Sequence, residues 1–176
     1  MVAFLDLVPA LILNLTVSTI FPIGSNETST GGRVIVGPIV NGTLQSEPGF
    51  ETLINATISS ADDWPTIDPD GLHQRPDLRG LVTTDDGEFV EILATGIQTI
   101  IPELNQIITG EKELNLPFGT FQSVIPVRFV TGTPKYKNLQ DSIFIGSETV
   151  KSLGGGAFLA GVRISKVYSA KTNVTL

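Results

Sequence analysis

The sequence has no cysteine, and it has one histidine, one tryptophan and one methionine. Without cysteine it can form no disulfide, zinc–thiolate or iron–sulfur site and has no cysteine nucleophile. A single histidine excludes two-histidine metal sites within one chain, and it leaves only His73 for a Ser–His–Asp triad. No G-x-S-x-G elbow accompanies it. Basic residues are few: 11 Lys and Arg stand against 18 Asp and Glu, a net charge of −7. There is no basic stripe to neutralise phosphates, so neither nucleic acid nor an anionic membrane is expected as a partner. Long apolar runs are also missing. The N-terminal segment MVAFLDLVPALILNLTVSTI lacks the positive start of a signal peptide and is broken by Pro9, Asn14 and Thr16. It is too short for a bilayer span and reads as a strand, which leads to the expectation of a cytoplasmic protein.

What remains is rich in Val, Ile, Leu, Thr and Gly, with 41% hydrophobic residues in 176, enough to bury one core. One domain, residues 1–176, is expected. The only clear helix signal is PELNQIIT, residues 102–109, with Pro102 at a first helical position and Gly110 as a stop. Strands are expected at 10–20, 33–40, 43–59, 78–84, 88–98, 120–131, 142–148 and 157–169, with Pro48-Gly49 bending or bulging the third. About eight antiparallel strands suggest a barrel or a sandwich, and a closed barrel of this size can hold one small ligand.

In TTDDGEF, Asp86-Gly87 suits a two-residue hairpin turn. That loop would set Val82 opposite Glu91 and Arg79 opposite Ala94. Each face then mixes apolar residues with a charge, so the pattern leaves the inward face open. Asn14, Asn26, Asn41, Asn55 and Asn173 each open an N-x-Thr sequon. They are read as Thr-rich strand ends rather than glycosylation sites.

Polar chemistry concentrates in residues 61–80, ADDWPTIDPDGLHQRPDLRG. TIDPDGLHQRPD partly matches a calcium loop, but Thr66 stands at the first ligand place, Asp77 replaces the bidentate glutamate, and Pro69 and Pro76 stiffen the loop. No metal is expected. The glycine runs at Gly31-Gly32 and Gly154–Gly156 lead into strands rather than helices, so they are turns and not phosphate cradles. Carboxylates remain. Asp68, Asp70 and Asp86 suit backbone capping in turns. Asp63, Asp70, Asp77 and Glu91 lie near or inside strands, where a carboxyl in an apolar lumen would have its pKa raised and could act as an acid. A nearby Arg79 could instead hold a partner ionised as a base, although Asp77 with Arg79 reads equally well as a structural ion pair.

Asp63-Trp64, Pro69-Asp70-Gly71, Asp77 with Arg79, and Thr84-Asp85-Asp86-Gly87 together resemble the family called domain of unknown function 3237. GGRVIVGPIVNGTL from Gly31 and RFVTGTPKYKNLQDSIFIG from Arg128 to Gly146 are similar to further family segments, and the resemblance spans nearly the whole chain. The sequence departs from that pattern at Gly80, Asn138 and Gln140, where small or polar residues would reshape a pocket. The resemblance implies an all-β, lipocalin-like antiparallel β-barrel with a short helix and a central cavity, often a homo-oligomer. It also implies, from some fungal members, a cofactor-free cyclase of polyketide pathways that adds a hydroxyl across an alkene.

The expected function is therefore intramolecular hydroalkoxylation of a prenylated aromatic polyketide, a small-molecule substrate. Asp63, Asp77 and Glu91 would be the acid and base, with Arg79 tuning them. Trp64, Phe121, Phe129 and Tyr136 would line an aromatic pocket, with His73 as an outside candidate for a proton shuttle. A non-catalytic carrier of an apolar metabolite is the alternative, and a barrel filled by its own side chains is the third. A carboxylate inside an apolar lumen distinguishes the enzyme from the carrier.

Overall fold

The computed structural model describes residues 4–24, 28–29 and 31–169. Alternation of apolar with other residues builds the long strands. In β1 (Asp6–Val17), Leu11, Leu13, Leu15 and Val17 point inward while Ile12, Asn14 and Thr16 are half-buried on the other face. Then come β2 (Phe21–Pro22), β3 (Arg33–Ser46), β4 (Asn55–Asp63), β5 (Thr66–Ile67), β6 (His73–Arg75), β7 (Asp77–Thr84), β8 (Phe89–Thr95) and β9 (Ile97–Thr99). Helix α1 (Pro102–Ile108) precedes β10 (Asn115–Leu116) and β11 (Ser123–Val130). Helix α2 (Lys137–Gln140), β12 (Phe144–Gly154) and β13 (Ala157–Tyr168) complete the chain. Strands β12, β13, β1, β3, β4, β7, β8 and β11 pair in that order, and β11 returns to β12, closing an eight-stranded antiparallel barrel. Closure leaves these strands no open edge.

A second, shorter path also joins β3 to β11, through β5, β6 and β9. The chain crosses from one path to the other at Trp64-Pro65, at Pro76 and at Gly96, so β4–β5, β6–β7 and β8–β9 behave as three kinked strands. Proline has no amide for the ladder, which suits it to such a bend. Gly96 is required for a different reason: a Cβ there would lie 2.5 Å from the Val124 carbonyl oxygen. The forked sheet leaves the barrel roomy at this end. The opposite end is filled by Phe50, Phe129, Tyr136, Leu139 and Phe144, with Phe129 and Phe144 edge to face at 5.3 Å between ring centres. Over the roomy end lies α1, which starts at Pro102 and buries Leu104 and Ile107 against Leu116, Phe121 and Val150.

The β7–β8 hairpin corrects the expected turn. Gly87 alone has a positive φ, 81°, and the Thr84 N–H donates to the Glu88 carbonyl across a three-residue loop, Asp85–Gly87. That one extra residue shifts the register, so Val82 faces Val90 and Arg79 faces Leu93. With this register Leu78, Gly80, Val82, Val90, Ile92 and Ala94 are all buried, and the mixed faces separate cleanly. The single strand expected over 43–59 is a second correction. Glu47–Thr52 is a turn between β3 and β4, stabilised by the Phe50 N–H donating to the Glu47 carbonyl. Of the sequon asparagines, Asn14 is half-buried in β1, Asn41 Oδ1 accepts from the Gly42 N–H, and Asn55 donates to Asp85. Asn26 and Asn173 lie outside the described residues. No helix among the described residues is long and apolar enough to cross a membrane.

Candidate active site

Under α1 the barrel holds a partly open cavity of about 80 Å³. Leu13, Leu15, Val17, Ile39, Val127 and Val162 form much of its apolar wall, with Phe121 and Phe158 near α1. Its polar groups gather in one region. Register sets Gln74 on β6 opposite Gln98 on β9, and Gln98 opposite Ser123 on β11, so three polar side chains run across adjacent strands. Gln74 Nε2 donates to Gln98 Oε1 at 2.5 Å, and Gln98 Nε2 donates to Ser123 Oγ at 3.2 Å. The row ends at Glu148 on β12: its Oε2 accepts from Gln98 Nε2 and, at 3.4 Å, from Ser123 Oγ. Its Oε1 accepts no hydrogen bond among the described residues.

Glu148 is inward because β12 alternates Phe144, Gly146, Glu148 and Val150 toward the lumen. Burial raises its pKa to about 8; the Asp63 charge pushes the same way, and the hydrogen bonds from Ser123 and Gln98 oppose both. Asp63, at the kink that ends β4, is the second carboxylate of the cavity. Burial raises its pKa to about 6. The Asp77 backbone N–H, donating to Oδ1 at 2.9 Å, opposes that rise, and the Asp77 charge adds to it. At neutral pH the cavity thus favours a protonated Glu148 beside a largely ionised Asp63. They are the titratable residues of the lining, and among the described residues that lining has no Lys, Arg or His.

The expected site residues divide. Asp63 and Phe121 line the cavity. Asp77 reaches the site only through its amide; its side chain is exposed. Arg79 and Glu91 face outward, where Arg79 Nε donates to Glu91 Oε1 at 2.7 Å, because the observed register puts them on the same, outer face. Half-exposed Trp64 lies beside them on the outer surface. His73 starts β6 half-buried and does not line the cavity, since Gln74 takes the inward position next to it. Phe129 and Tyr136 belong to the packed opposite end, where the Tyr136 hydroxyl donates to Asp86 Oδ1 at 2.7 Å. Asn138 is also at that end, bonded to Glu51 and Thr52, and does not line this cavity. The aspartates of the TIDPDG turn are engaged: Asp68 pairs with Arg75 at 2.8 Å, and Asp70 Oδ1 caps the Leu72 N–H. No group of three His, Cys, Asp or Glu side chains among the described residues could hold a metal.

Glu148, Gln74 and Gln98 were not singled out from sequence. The signal for Glu148 was the inward alternation from Phe144, adjoining the F-x-G segment. The two glutamines carried none, because their inward positions depend on the strand kinks.

Fold and site together define a closed β-barrel with a carboxylate pair in an apolar lumen. The chain belongs to the family described as protein of unknown function (DUF3237), whose profile matches residues 5–168, as the motifs at Asp63-Trp64 and Asp77 suggested. A conserved protein of unknown function from Rhodopseudomonas palustris has a similar structure, with a TM-score of 0.77 at 19% identity over 94% of this chain and 99% of that one. A beta-barrel like protein from Acinetobacter baumannii is similar at 0.67 and 23% over 95% and 98%. An enzyme from Penicillium herquei is similar at 0.57 and 18% over 93% and 96%. At these identities the likeness establishes the barrel. No curated protein matches the sequence.

Proposed function

We propose that the protein is a cofactor-independent cyclase that closes an oxygen heterocycle by intramolecular hydroalkoxylation of a prenylated phenol, in a fungal polyketide pathway. One observation carries the reading: Glu148 and Asp63 share an apolar cavity and hold their protons at different strengths, about 8 against about 6. Two carboxyls whose environments separate their pKa values make an acid and a base. An apolar lumen holding carboxylates is the feature expected of an enzyme rather than of a carrier. Kinship of fold with a Penicillium herquei enzyme is consistent with this.

The electrostatics favour an acid-first order. A phenolate would sit near the ionised Asp63 with no cationic side chain among the described lining residues. Glu148 instead donates its proton to the less substituted alkene carbon, leaving a tertiary cation that the ionised Asp63 stabilises. The phenol oxygen attacks that cation, the C–O bond forms, and the phenolic proton passes to Asp63. The product is an isomer of the substrate, and a proton moved from Asp63 back to Glu148 resets the pair. Cavity walls that hold the chain folded supply proximity and set the stereochemistry.

Incubation with a panel of prenylated phenolic polyketides, followed by chiral analysis, tests this. One enantiomer should dominate. Asp63→Asn and Glu148→Gln should each lower kcat about 100-fold or more. Racemic product at the buffer rate across the panel would overturn the reading.

A further inference from the structure

The chemistry of the cavity wall also specifies a ligand charge. We propose that the cavity is a binding site for apolar ammonium ions, ligands with a protonated amine on an alkyl or aryl body, whose nitrogen is held by Asp63 and Glu148. With the proposed function it shares one premise, that the cavity admits a ligand, and it does not need turnover.

Four observations converge. Among the described residues the lining presents two carboxyls and the side chains of Gln74 and Gln98, and no cation. Asp63, half-buried at the cavity, is the ionised group, and no cationic side chain of the described lining residues faces it, so a ligand can supply one. Glu148 is 9% exposed, and its Oε1 has no hydrogen-bond partner among the described residues, which leaves it for an ammonium N–H. Phe121 and Phe158 border the same space with aromatic surface, which attracts cations. The chain's net charge of −7 also favours the approach of cations over anions.

A neutral ligand gains only burial from this wall. An ammonium gains burial and neutralises the ionised Asp63, and it can donate a further N–H to Glu148. Asp63 on β4 and Glu148 on β12 are the titratable groups of the lining among the described residues. No covalent bond forms or breaks.

Calorimetric titration of the full chain with N-benzylpiperidine, protonated at neutral pH, and with its uncharged analogue N-benzoylpiperidine tests the proposal. Repeating each titration with Asp63→Asn tests the carboxylate contact. The amine should bind about tenfold or more tighter than the amide, a preference that Asp63→Asn abolishes. Equal or tighter binding of the amide would overturn the proposal while leaving the cyclase reading intact. An amine preference left unchanged by Asp63→Asn would overturn it as well. If neither compound binds, the ammonium site is overturned, and stereoselective turnover in that case leaves the cyclase reading standing.

Discussion

Glu148 stands at an inward position of β12 between Gly146 and Val150, and the fold keeps it there at a cost. A carboxyl with a higher pKa in the folded state than in the unfolded chain binds its proton more tightly when folded. That stabilisation is fully present below the unfolded values, 4.5 for Glu148 and 3.8 for Asp63. It is lost as pH rises through about 8 and about 6 respectively. Urea midpoints should therefore fall from about pH 5 to about pH 8. Glu148→Gln should flatten that fall and leave the variant more stable than wild type at about pH 8.5, whereas a parallel profile would contradict the assignment. Arg79 and Glu91 should behave oppositely, as an exposed pair. Arg79→Ala or Glu91→Gln should change stability by about 1 kcal/mol or less in denaturant titrations and leave the proposed turnover unaltered. Of the site, Asp63 was legible because a motif marks it. The sequence left the inward face of the Arg79 and Glu91 hairpin open, since residue type alone does not tell an outward ion pair from a lumenal one.

At the scale of elements, the roomy end depends on three kinks. Gly96 is the one with no tolerance for a side chain, because the Val124 carbonyl occupies the space of its Cβ. Gly96→Val should therefore cost about 1–3 kcal/mol, a fall of several degrees in Tm by calorimetry, with an unchanged cavity lining only if β9 shifts. Gly87→Ala at the β7–β8 turn should cost about 1 kcal/mol through its positive φ. The strands themselves were legible from β-branched alternation and turn residues. The kinks were not, since Trp64-Pro65, Pro76 and Gly96 look like strand ends until the second path of pairing through β5, β6 and β9 is seen. The hairpin register failed for a related reason: D-D-G supports either a two-residue or a three-residue loop, and side-chain faces invert between them.

For the whole molecule, barrel closure makes the inside a separate chemical phase, and the charge balance differs across the wall. Outside, Asp86, Asp68 and Glu51 are held below the ordinary carboxylate range, chiefly by hydrogen bonds from Lys135, Arg75 and Lys166. Their stabilisation is present above that range and is lost as pH falls through their lowered pKa values. Inside, Asp63 and Glu148 work in the other direction, so stability should peak in mildly acidic solution and decline on both sides. The central claim is that the lumen holds a protonated Glu148 beside an ionised Asp63 near neutral pH. Carbon-detected NMR titration of the side-chain carboxyls, assigned with Glu148→Gln and Asp63→Asn, measures this directly. The account predicts two coupled transitions, one near about 6 and one near about 8. Ordinary carboxylate titration of both groups, complete below about pH 5, would contradict it.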